Sequence, residues 1–293
     1  MILASVDIGS NASRLLIVKV TKDKNGLISK KVLNFLRVPT QLGLDVFNTS
    51  IISSEKEQKL FQTLDVFKRL SEIYEPEQFK IVATSALREA SNGEAITEKI
   101  EKRLNFEIEV VEGEREAELV AKSYQMLNLP LNQQYEMFVD VGGGSTDIAI
   151  VQEHRVIKTF SYKIGAIKLA SKFFEKHEWN AFKTGIENLA AEYKDVTLIG
   201  SGGNIRKLLK LYGQHQDRYI SFDGMNKAYE TLSALTIEER IKKFNLKEDR
   251  AYVIDQAALI FLLVMAAFNS KTISVPKIGL SDGVIFEMFN NLN

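Results

Sequence analysis

The chain has 293 residues, of which 45% are hydrophobic and 26% are charged. This is the composition of a globular protein, and the length suits two domains that each bury a core. Lys and Arg together number 38, as do Asp and Glu, so no overall charge favours nucleic acid or an anionic membrane as a partner. The absence of cysteine excludes disulfides, thiolate metal sites and cysteine nucleophiles.

The first half of the chain predicts a three-strand meander followed by alternating helices and strands. Apolar runs rich in β-branched residues predict the strands at 2–8, 14–20 and 27–37. Ser53-Ser54-Glu55 predicts the start of a helix that runs to about Tyr74. The later elements are a strand at 79–84, a short helix around 87–90, a helix at 93–103, a strand at 107–111 and a helix at 115–127.

The second half repeats this plan, and the break at Leu129-Pro130-Leu131-Asn132 predicts domains 1–127 and 128–293. The uncharged apolar run at 257–268 has too few residues to cross a bilayer, which needs about 20, so it predicts a buried helix. No basic segment precedes an apolar run at the N-terminus, so we expect no signal peptide and a soluble, cytoplasmic protein. The predicted strands are 136–141, 147–152, 155–161, 196–199 and 275–280; the predicted helices are 165–176, 179–192, 204–211, 223–245 and 249–268.

Two segments that lie 133 residues apart have the same pattern. Each is a β-rich run, an aspartate, a turn of small residues and a second β-rich run, which predicts a β-hairpin. Backbone N–H groups in such a turn can hold phosphate, and the aspartate can hold the metal that accompanies it. The pattern therefore predicts two turns that hold one phosphate chain. The segments are Val6-Asp7-Ile8-Gly9-Ser10-Asn11-Ala12-Ser13 and Val139-Asp140-Val141-Gly142-Gly143-Gly144-Ser145-Thr146.

With three further motifs, these hairpins resemble the exopolyphosphatase and guanosine pentaphosphate phosphohydrolase (Ppx/GppA) family, in its short two-domain form. The family belongs to the actin–chaperone–sugar kinase superfamily. The resemblance implies an α/β fold with two lobes of duplicated actin-like (ribonuclease H-like) architecture. Each lobe would hold a five-stranded mixed sheet flanked by helices, with the active site in the cleft between lobes, and the last helix can return to the first lobe. The further motifs are Ala83-Thr84-Ser85-Ala86-Leu87-Arg88-Glu89-Ala90, Gly200-Ser201-Gly202-Gly203 and Leu280-Ser281-Asp282-Gly283.

The same resemblance implies roles for individual residues. Glu116, before Ala117 in a predicted first helical turn, takes the position of the catalytic base. Asp140 and Asp147 take the positions of the other catalytic carboxylates. With Asp7 they would place Mg²⁺ or Mn²⁺, largely through waters. The terminal phosphoryl group would be held by Ser10, Asn11, Ser13, Arg88, Gly142, Gly143, Gly144, Ser145 and Thr146.

Several patterns have a plain structural interpretation beside the functional one. Acidic residues such as Glu116 also favour a helix N-terminus without any catalytic role. The turn formed by Gly200, Ser201, Gly202 and Gly203 precedes a predicted helix, which suits a nucleotide or a distal phosphate but also a tight turn. Lys168, Lys172 and Lys176 fall at i, i+4 and i+8, which predicts one basic stripe on a helix. That stripe suits either a solvated face or a track for a polyanion.

The chain departs from the family pattern at four places. Arg115 replaces a common acid and is expected to lower the pKa of Glu116. Asp147 replaces a glutamate, and Ala12 replaces a common serine. Phe286-Glu287-Met288 stands where the family has Arg-Glu-Gly, so a basic residue is missing. These departures leave the choice of substrate open.

The leading functional interpretation is a metal-dependent phosphohydrolase. It would release the terminal phosphate from inorganic polyphosphate or guanosine pentaphosphate, the expected small-molecule partners. One alternative is an ATP-dependent kinase of the same superfamily. Another is a non-catalytic or weakly active sensor that binds polyphosphate or guanosine alarmones, which the changes at Arg115 and Phe286 favour. Small cytosolic enzymes of this type are often dimers, which makes a homodimer one option, but the sequence leaves the oligomeric state open.

Overall fold

The computed structural model describes residues 1–24, 28–124, 134–216 and 218–292. The predicted domain break around Pro130 and the predicted end of the helix at 125–127 lie outside these residues. The chain forms two compact units, Met1–Leu129 with Ile278–Asn293, and Pro130–Lys277.

The sheet of the first unit has five strands in the order β3-β2-β1-β4-β5. The first three strands form the predicted antiparallel meander, whereas β4 and β5 extend the sheet in parallel. Ser53 caps α2 as predicted, with its side chain accepting a hydrogen bond from the Lys56 N–H. The elements are β1 (Ile2–Ile8), β2 (Ser13–Lys22), β3 (Ile28–Val38), α1 (Leu42–Thr49), α2 (Ser54–Tyr74), β4 (Gln78–Ala83), α3 (Ser85–Glu89), α4 (Gly93–Leu104), β5 (Ile108–Val110) and α5 (Gly113–Tyr124).

The second unit repeats this topology around a sheet of six strands rather than the five predicted. The order is β10-β11-β9-β6-β7-β8, in which β8, β7 and β6 form the meander and β9 and β11 run parallel to β6. The additional strand, β10, pairs antiparallel with β11. The elements are β6 (Tyr135–Val141), β7 (Thr146–Gln152), β8 (Arg155–Tyr162), α6 (Ala166–Ser171), α7 (Lys176–Glu192), β9 (Val196–Ser201), α8 (Gly202–Tyr212), β10 (Tyr219–Ser221), α9 (Phe222–Ser233), α10 (Ile237–Phe244), α11 (Glu248–Ala251), α12 (Ile254–Ala267) and β11 (Thr272–Ser274).

The helix predicted at 165–176 is present but shorter, as α6 (Ala166–Ser171), and the lysine stripe predicted on it is wrong. The α6 helix ends after one and a half turns, because Lys172 adopts a left-handed conformation with φ of 60°. The N–H groups of Lys172 and Phe173 close the helix on the carbonyls of Leu169 and Lys168. Lys168 is only 4% exposed, whereas Lys176 lies exposed at the start of α7. The three lysines therefore do not share one helical face.

The short strand predicted near 275–280 lies earlier in the chain, as β11, which ends at Ser274; residues 275–279 belong to no helix or strand, and Leu280 begins a final helix, α13 (Leu280–Asn291). Buried apolar residues recur along it at helical spacing and pack with β1, β2 and α5 in a core cluster of the first unit. The Ser281-Asp282-Gly283 motif lies in the first turn of this helix.

The apolar run at 257–268 lies mostly in α12, as a buried helix. Among the described residues, the stretch Glu248–Ala267 alone has the length and composition of a membrane span, and 56% of its most apolar window is buried in the protein. A core helix of a globular domain meets the same criteria, so this stretch is weak evidence of a membrane segment.

Candidate active site

The two predicted hairpins have the same geometry. In the first, the Gly9 N–H donates to the Ala12 carbonyl over 3.2 Å, and Ile8 pairs with Ser13. In the second, the Gly142 N–H donates to the Ser145 carbonyl over 3.0 Å, and Val141 pairs with Thr146. Every one of these positions is related to its counterpart by the same 133-residue shift. The duplication read from the sequence is therefore present in the backbone hydrogen bonds.

A hydroxyl at the end of each turn fastens the turn to its own unit. Ser13 is fully buried, and its Oγ lies 3.2 Å from Oγ1 of Thr40. The equivalent Thr146 is also fully buried and donates to the Ile164 carbonyl over 2.6 Å. Because both hydroxyls are already hydrogen-bonded inside the protein, the backbone N–H groups of the turns are the better candidates for contact with phosphate.

One difference between the hairpins changes their charge: Arg14 in the first corresponds to Asp147 in the second. Asp7 pairs across the first hairpin with Arg14, whose Nη1 donates to Oδ2 of Asp7 over 2.5 Å. At the equivalent place in the second hairpin, Asp140 pairs with Asp147. The first hairpin thus carries a neutralised pair, and the second carries two adjacent carboxylates.

Each carboxylate of the second hairpin accepts a serine hydroxyl. Ser201 donates to Oδ2 of Asp140 over 2.5 Å. Ser161 donates to Oδ1 of Asp147 over 2.5 Å, and Ser145 donates to Oδ2 of Asp147 over 2.8 Å. These distances are typical of hydrogen bonds to an ionised acceptor.

The glycine-rich motif at Gly200–Gly203 joins a strand to a helix, as predicted, but with no separate turn between them. Gly200 and Ser201 end β9, and Gly202 begins α8 directly. Gly202 has φ of +90°, which favours glycine, and a Cβ there would lie 2.7 Å from Oδ1 of Asp140. The motif therefore leaves room for the Asp140 carboxylate.

In the first unit, three parallel strands bring the remaining predicted residues to one edge of the sheet. Ile8, Ala83 and Val110 are register partners at the ends of β1, β4 and β5. The segments that follow carry Ser10 and Asn11, then Arg88, then Glu116. These residues accordingly share the edge where parallel strands of α/β folds end and ligands usually bind.

Hydrogen bonds connect these segments. The Ser10 and Ser85 hydroxyls lie 2.7 Å apart, and the Asn11 carbonyl accepts from the Gln41 N–H. Arg88 Nη1 donates to the Val111 carbonyl, and its Nε lies 3.6 Å from the Glu112 carboxylate. Arg88 thus holds the segment that enters α5.

Glu116 lies in the first turn of α5, and its N–H donates to the Glu112 carbonyl over 2.9 Å. Its side chain is half-buried, with Oε2 shielded from solvent. The neighbouring residue, Arg115, pairs with two other carboxylates. Its guanidinium donates to Glu118 over 2.8 Å and to Glu287 of α13.

Glu287 belongs to the Phe286-Glu287-Met288 segment, which differs from the family pattern. Its carboxylate is bonded to Arg115 of α5 and so connects α13 to that helix. Burial by itself would raise the pKa of Glu287, but the hydrogen bonds and charges of Arg115 and Lys80 outweigh burial and lower it. The pKa of Glu118 is lowered in the same way by Lys122 and Arg115. Phe286, where the family has arginine, is buried.

The Ser281-Asp282-Gly283 motif fastens α13 to the first unit. The Ser5 hydroxyl donates to the Ser281 carbonyl, and Lys30 pairs with Asp282. A Cβ at Gly283 would lie 1.9 Å from the Leu119 carbonyl oxygen of α5, so the two helices are in backbone contact here.

Sequence reasoning did not identify Gly165, which supports the turn of the second hairpin. A Cβ at Gly165 would lie 2.4 Å from the Gly143 carbonyl oxygen. The next two N–H groups, of Ala166 and Ile167, donate to the carbonyls of Gly142 and Gly143, each over 2.9 Å. Ser161 was not identified either, since nothing local in the sequence indicates that it faces Asp147.

The second hairpin has the better donor set for a divalent cation. Mg²⁺ is usually held by one or two carboxylates, several waters and substrate phosphates, and Asp140 with Asp147 fits that pattern. Asp7 fits less well, because Arg14 already neutralises it. Over the described ranges, whose gaps are 25–27, 125–133, 217 and 293, no three His, Asp or Glu side chains form a metal-binding cluster.

Solved structures with a similar fold indicate the class of protein. The Ppx/GppA family member of Aquifex aeolicus superposes with a TM-score of 0.80 at 26% identity, covering 100% of this chain and 99% of that one. An exopolyphosphatase from Cytophaga hutchinsonii superposes with a TM-score of 0.86 at 23% identity, covering 99% and 98% of the two chains, and supports the fold alone. The protein thus has the predicted duplicated actin-like fold.

The sequence comparison gives the family. Residues 20–292 match the Ppx/GppA phosphatase family. This chain belongs to the Ppx/GppA phosphatase family.

Among its relatives is the guanosine-5'-triphosphate,3'-diphosphate pyrophosphatase of Pseudoalteromonas translucida, 26% identical over 100% of this chain and 60% of the relative. The protein of that name from Photobacterium profundum is 23% identical over 99% of this chain and 59% of the relative. The chain spans about three fifths of the length of these relatives.

Proposed function

We propose that this protein is a metal-dependent phosphohydrolase that releases the terminal phosphate of inorganic polyphosphate or guanosine pentaphosphate. The observation that carries the proposal is the second hairpin, where a glycine turn lies beside two adjacent carboxylates, Asp140 and Asp147. A glycine turn suits phosphate oxygens, and paired carboxylates suit the cation that accompanies them. The phosphatase family of the chain supports phosphate release, and the name of the Pseudoalteromonas relative, a guanosine-5'-triphosphate,3'-diphosphate pyrophosphatase, supports the nucleotide substrate.

In the proposed reaction, a water oxygen attacks the terminal phosphorus in line with the bond to the bridging oxygen, and that bond breaks. Glu116 accepts the proton of the attacking water. The products are inorganic phosphate and a chain, or nucleotide, that is one phosphate shorter. Asp140 and Asp147 would hold Mg²⁺ or Mn²⁺, which when bound supplies positive charge to the phosphate oxygens. The turn N–H groups and Arg88 add fixed positive potential at the transferring group.

The test is phosphate release from polyphosphate and from guanosine pentaphosphate side by side, with Mg²⁺, with Mn²⁺ and with a chelator. We expect release from at least one substrate, and its loss with the chelator. Glu116→Gln should reduce turnover by about 10²–10⁴-fold while substrate binding persists. Glu114→Gln is the matched control, because Glu114 is an exposed glutamate in the same helical turn and should be neutral.

Each alternative predicts its own outcome. A sensor would bind one of these substrates in calorimetry without releasing phosphate. A kinase would transfer the terminal phosphate of ATP to an acceptor instead of water. Either result would overturn the proposal, whereas full activity of the Glu116→Gln variant would remove Glu116 from its catalytic role.

A further inference from the structure

Four polar side chains lie in a row across the second sheet. Asp140 of β6 is the register partner of Ser201 on β9 and of Asp147 on β7, and Asp147 is in turn the partner of Ser161 on β8. Residues directly opposite each other in neighbouring strands project from the same face of a sheet. The row therefore has two carboxylates in the middle and one serine at each end.

Both end serines are bonded to the carboxylate beside them. The Ser201 hydroxyl donates to Oδ2 of Asp140, and the Ser161 hydroxyl donates to Oδ1 of Asp147, each over 2.5 Å. Ser201 and Asp147 are 1% and 2% exposed, so water contributes little to holding them. Each carboxylate is thus held on at least one oxygen by a protein hydroxyl, and Asp147 also accepts from Ser145.

These bonds counter the repulsion between the two neighbouring carboxylates and limit the rotation of each one. Like charges side by side repel, and a hydroxyl that donates to the ionised form stabilises that form. Each bond also restricts rotation of its carboxylate. With Oδ2 of Asp140 bonded to Ser201, Oδ1 is directed toward Gly202, where a side chain would collide with it.

We propose that Ser161 and Ser201 are positioning residues that hold Asp140 and Asp147 in the orientation that receives a divalent cation. The inference rests on the proposed function, because it assigns these carboxylates to the metal of that reaction. It gives Ser201 a role different from the nucleotide or distal-phosphate contact that its motif predicts, and it adds Ser161, which belongs to no motif. Hydrogen-bonded residues behind metal ligands typically affect metal affinity or activity by about 10–100-fold.

The experiment measures binding of Mn²⁺ by electron paramagnetic resonance in the presence of imidodiphosphate, a phosphoanhydride analogue that resists hydrolysis. The variants are Ser161→Ala, Ser201→Ala and the two corresponding threonine variants, which keep the hydroxyl. Thr159→Ala is the control, because Thr159 lies two residues earlier on β8 opposite Ala149, away from both carboxylates. Thermal unfolding of each variant reports folding separately.

We expect each alanine variant to weaken Mn²⁺ binding by about 10–100-fold. The threonine variants should recover most of that loss, and Thr159→Ala should bind as the parent does. Unchanged Mn²⁺ affinity in folded alanine variants would overturn the inference, as would a parent that binds no Mn²⁺. If the alanine variants bind Mn²⁺ more weakly but the parent releases no phosphate, the positioning role is supported. In that case only the proposed function is refuted.

Discussion

Gly165→Ala should displace the glycine turn of the second hairpin without changing any polar group. Gly165 has φ of −136° and ψ of 170°, which any residue can adopt, so the effect of the methyl group comes from space alone. The added Cβ would lie 2.4 Å from the Gly143 carbonyl oxygen and 2.6 Å from the Gly144 carbonyl carbon. An unstrained contact is about 1 Å longer.

The turn cannot move by that distance freely. Hydrogen bonds of 2.9 Å from Ala166 and Ile167 hold its carbonyls from the same side as the new methyl group. Overpacking of this kind typically costs about 1–3 kcal/mol, so thermal unfolding should occur several degrees lower. A displacement of about 1 Å at a positioned reacting group can cost about 10²-fold in rate.

The assay is phosphate release under saturating metal, with thermal unfolding measured on the same preparations. Gly279→Ala is the control, because a Cβ there has no heavy atom within 4 Å and Gly279 is in extended backbone. We expect Gly165→Ala to lose about 10²-fold in turnover and Gly279→Ala to be neutral. Parental turnover and stability in Gly165→Ala would refute the claim that Gly165 sets the position of the turn.

Three other predictions follow from the contacts of the first unit. Gly283→Ala should lower the free energy of unfolding by about 1–3 kcal/mol in a denaturant titration, because its Cβ would lie 1.9 Å from the Leu119 carbonyl oxygen; unchanged stability would contradict the backbone contact of α13 with α5. Arg14→Met should leave Asp7 without its ion-pair partner and lower the thermal unfolding temperature; a variant as stable as the parent would show that the pair contributes nothing. The carboxyl pKa of Glu287 is lower in the folded protein than in the unfolded chain, so the stabilising effect of Glu287 is present above the ordinary glutamate pKa of about 4.3 and is lost as the pH falls through the folded value. Glu287→Gln should therefore make the free energy of unfolding fall less steeply at acid pH. An unchanged dependence on pH would contradict the pairing of Glu287 with Arg115 and Lys80.

Local patterns in the sequence were sufficient for the meanders and for the hairpins. Alternating apolar runs gave the first three strands of each sheet, and the small residues between Asp7 and Ser13 gave a turn whose register recurs 133 residues later. These features depend on residues close together in the chain, which is why they could be read without a structure. The Ser53 cap of α2 is of the same kind.

The incorrect predictions have specific physical causes. The segment at 223–245 is two helices, α9 and α10, and the capping box of Thr236 with Glu239 that begins α10 was a signal present in the sequence. The strand predicted near 275–280 ends earlier, at Ser274, because the chain beyond it contains Pro276, which cannot donate a hydrogen bond within a sheet, and leads into α13. Lys172 ends α6 in a left-handed conformation without the glycine that usually marks such an end.

The residues that sequence reasoning missed act across strands. Ser161 faces Asp147 because β8 pairs with β7 in one register, and Gly165 supports the turn because α6 approaches it closely. Neither relation is visible from spacing along the chain. The ion pair of Arg115 with Glu287 joins residues 172 positions apart, so the charge at Arg115 could not be assigned to its partner beforehand.

The role of the acidic second hairpin is tested most directly by the Asp147→Arg variant. This substitution gives the second hairpin the charge pattern that Asp7 and Arg14 have in the first. The measurement is phosphate release from polyphosphate and guanosine pentaphosphate with Mn²⁺, by the parent and by Asp147→Arg. We expect chelator-sensitive release by the parent and a loss of at least about 10²-fold in the variant, because a metal-binding carboxylate is removed. Release that persists in the chelator and survives Asp147→Arg would contradict the assignment of the chemistry to the acidic hairpin.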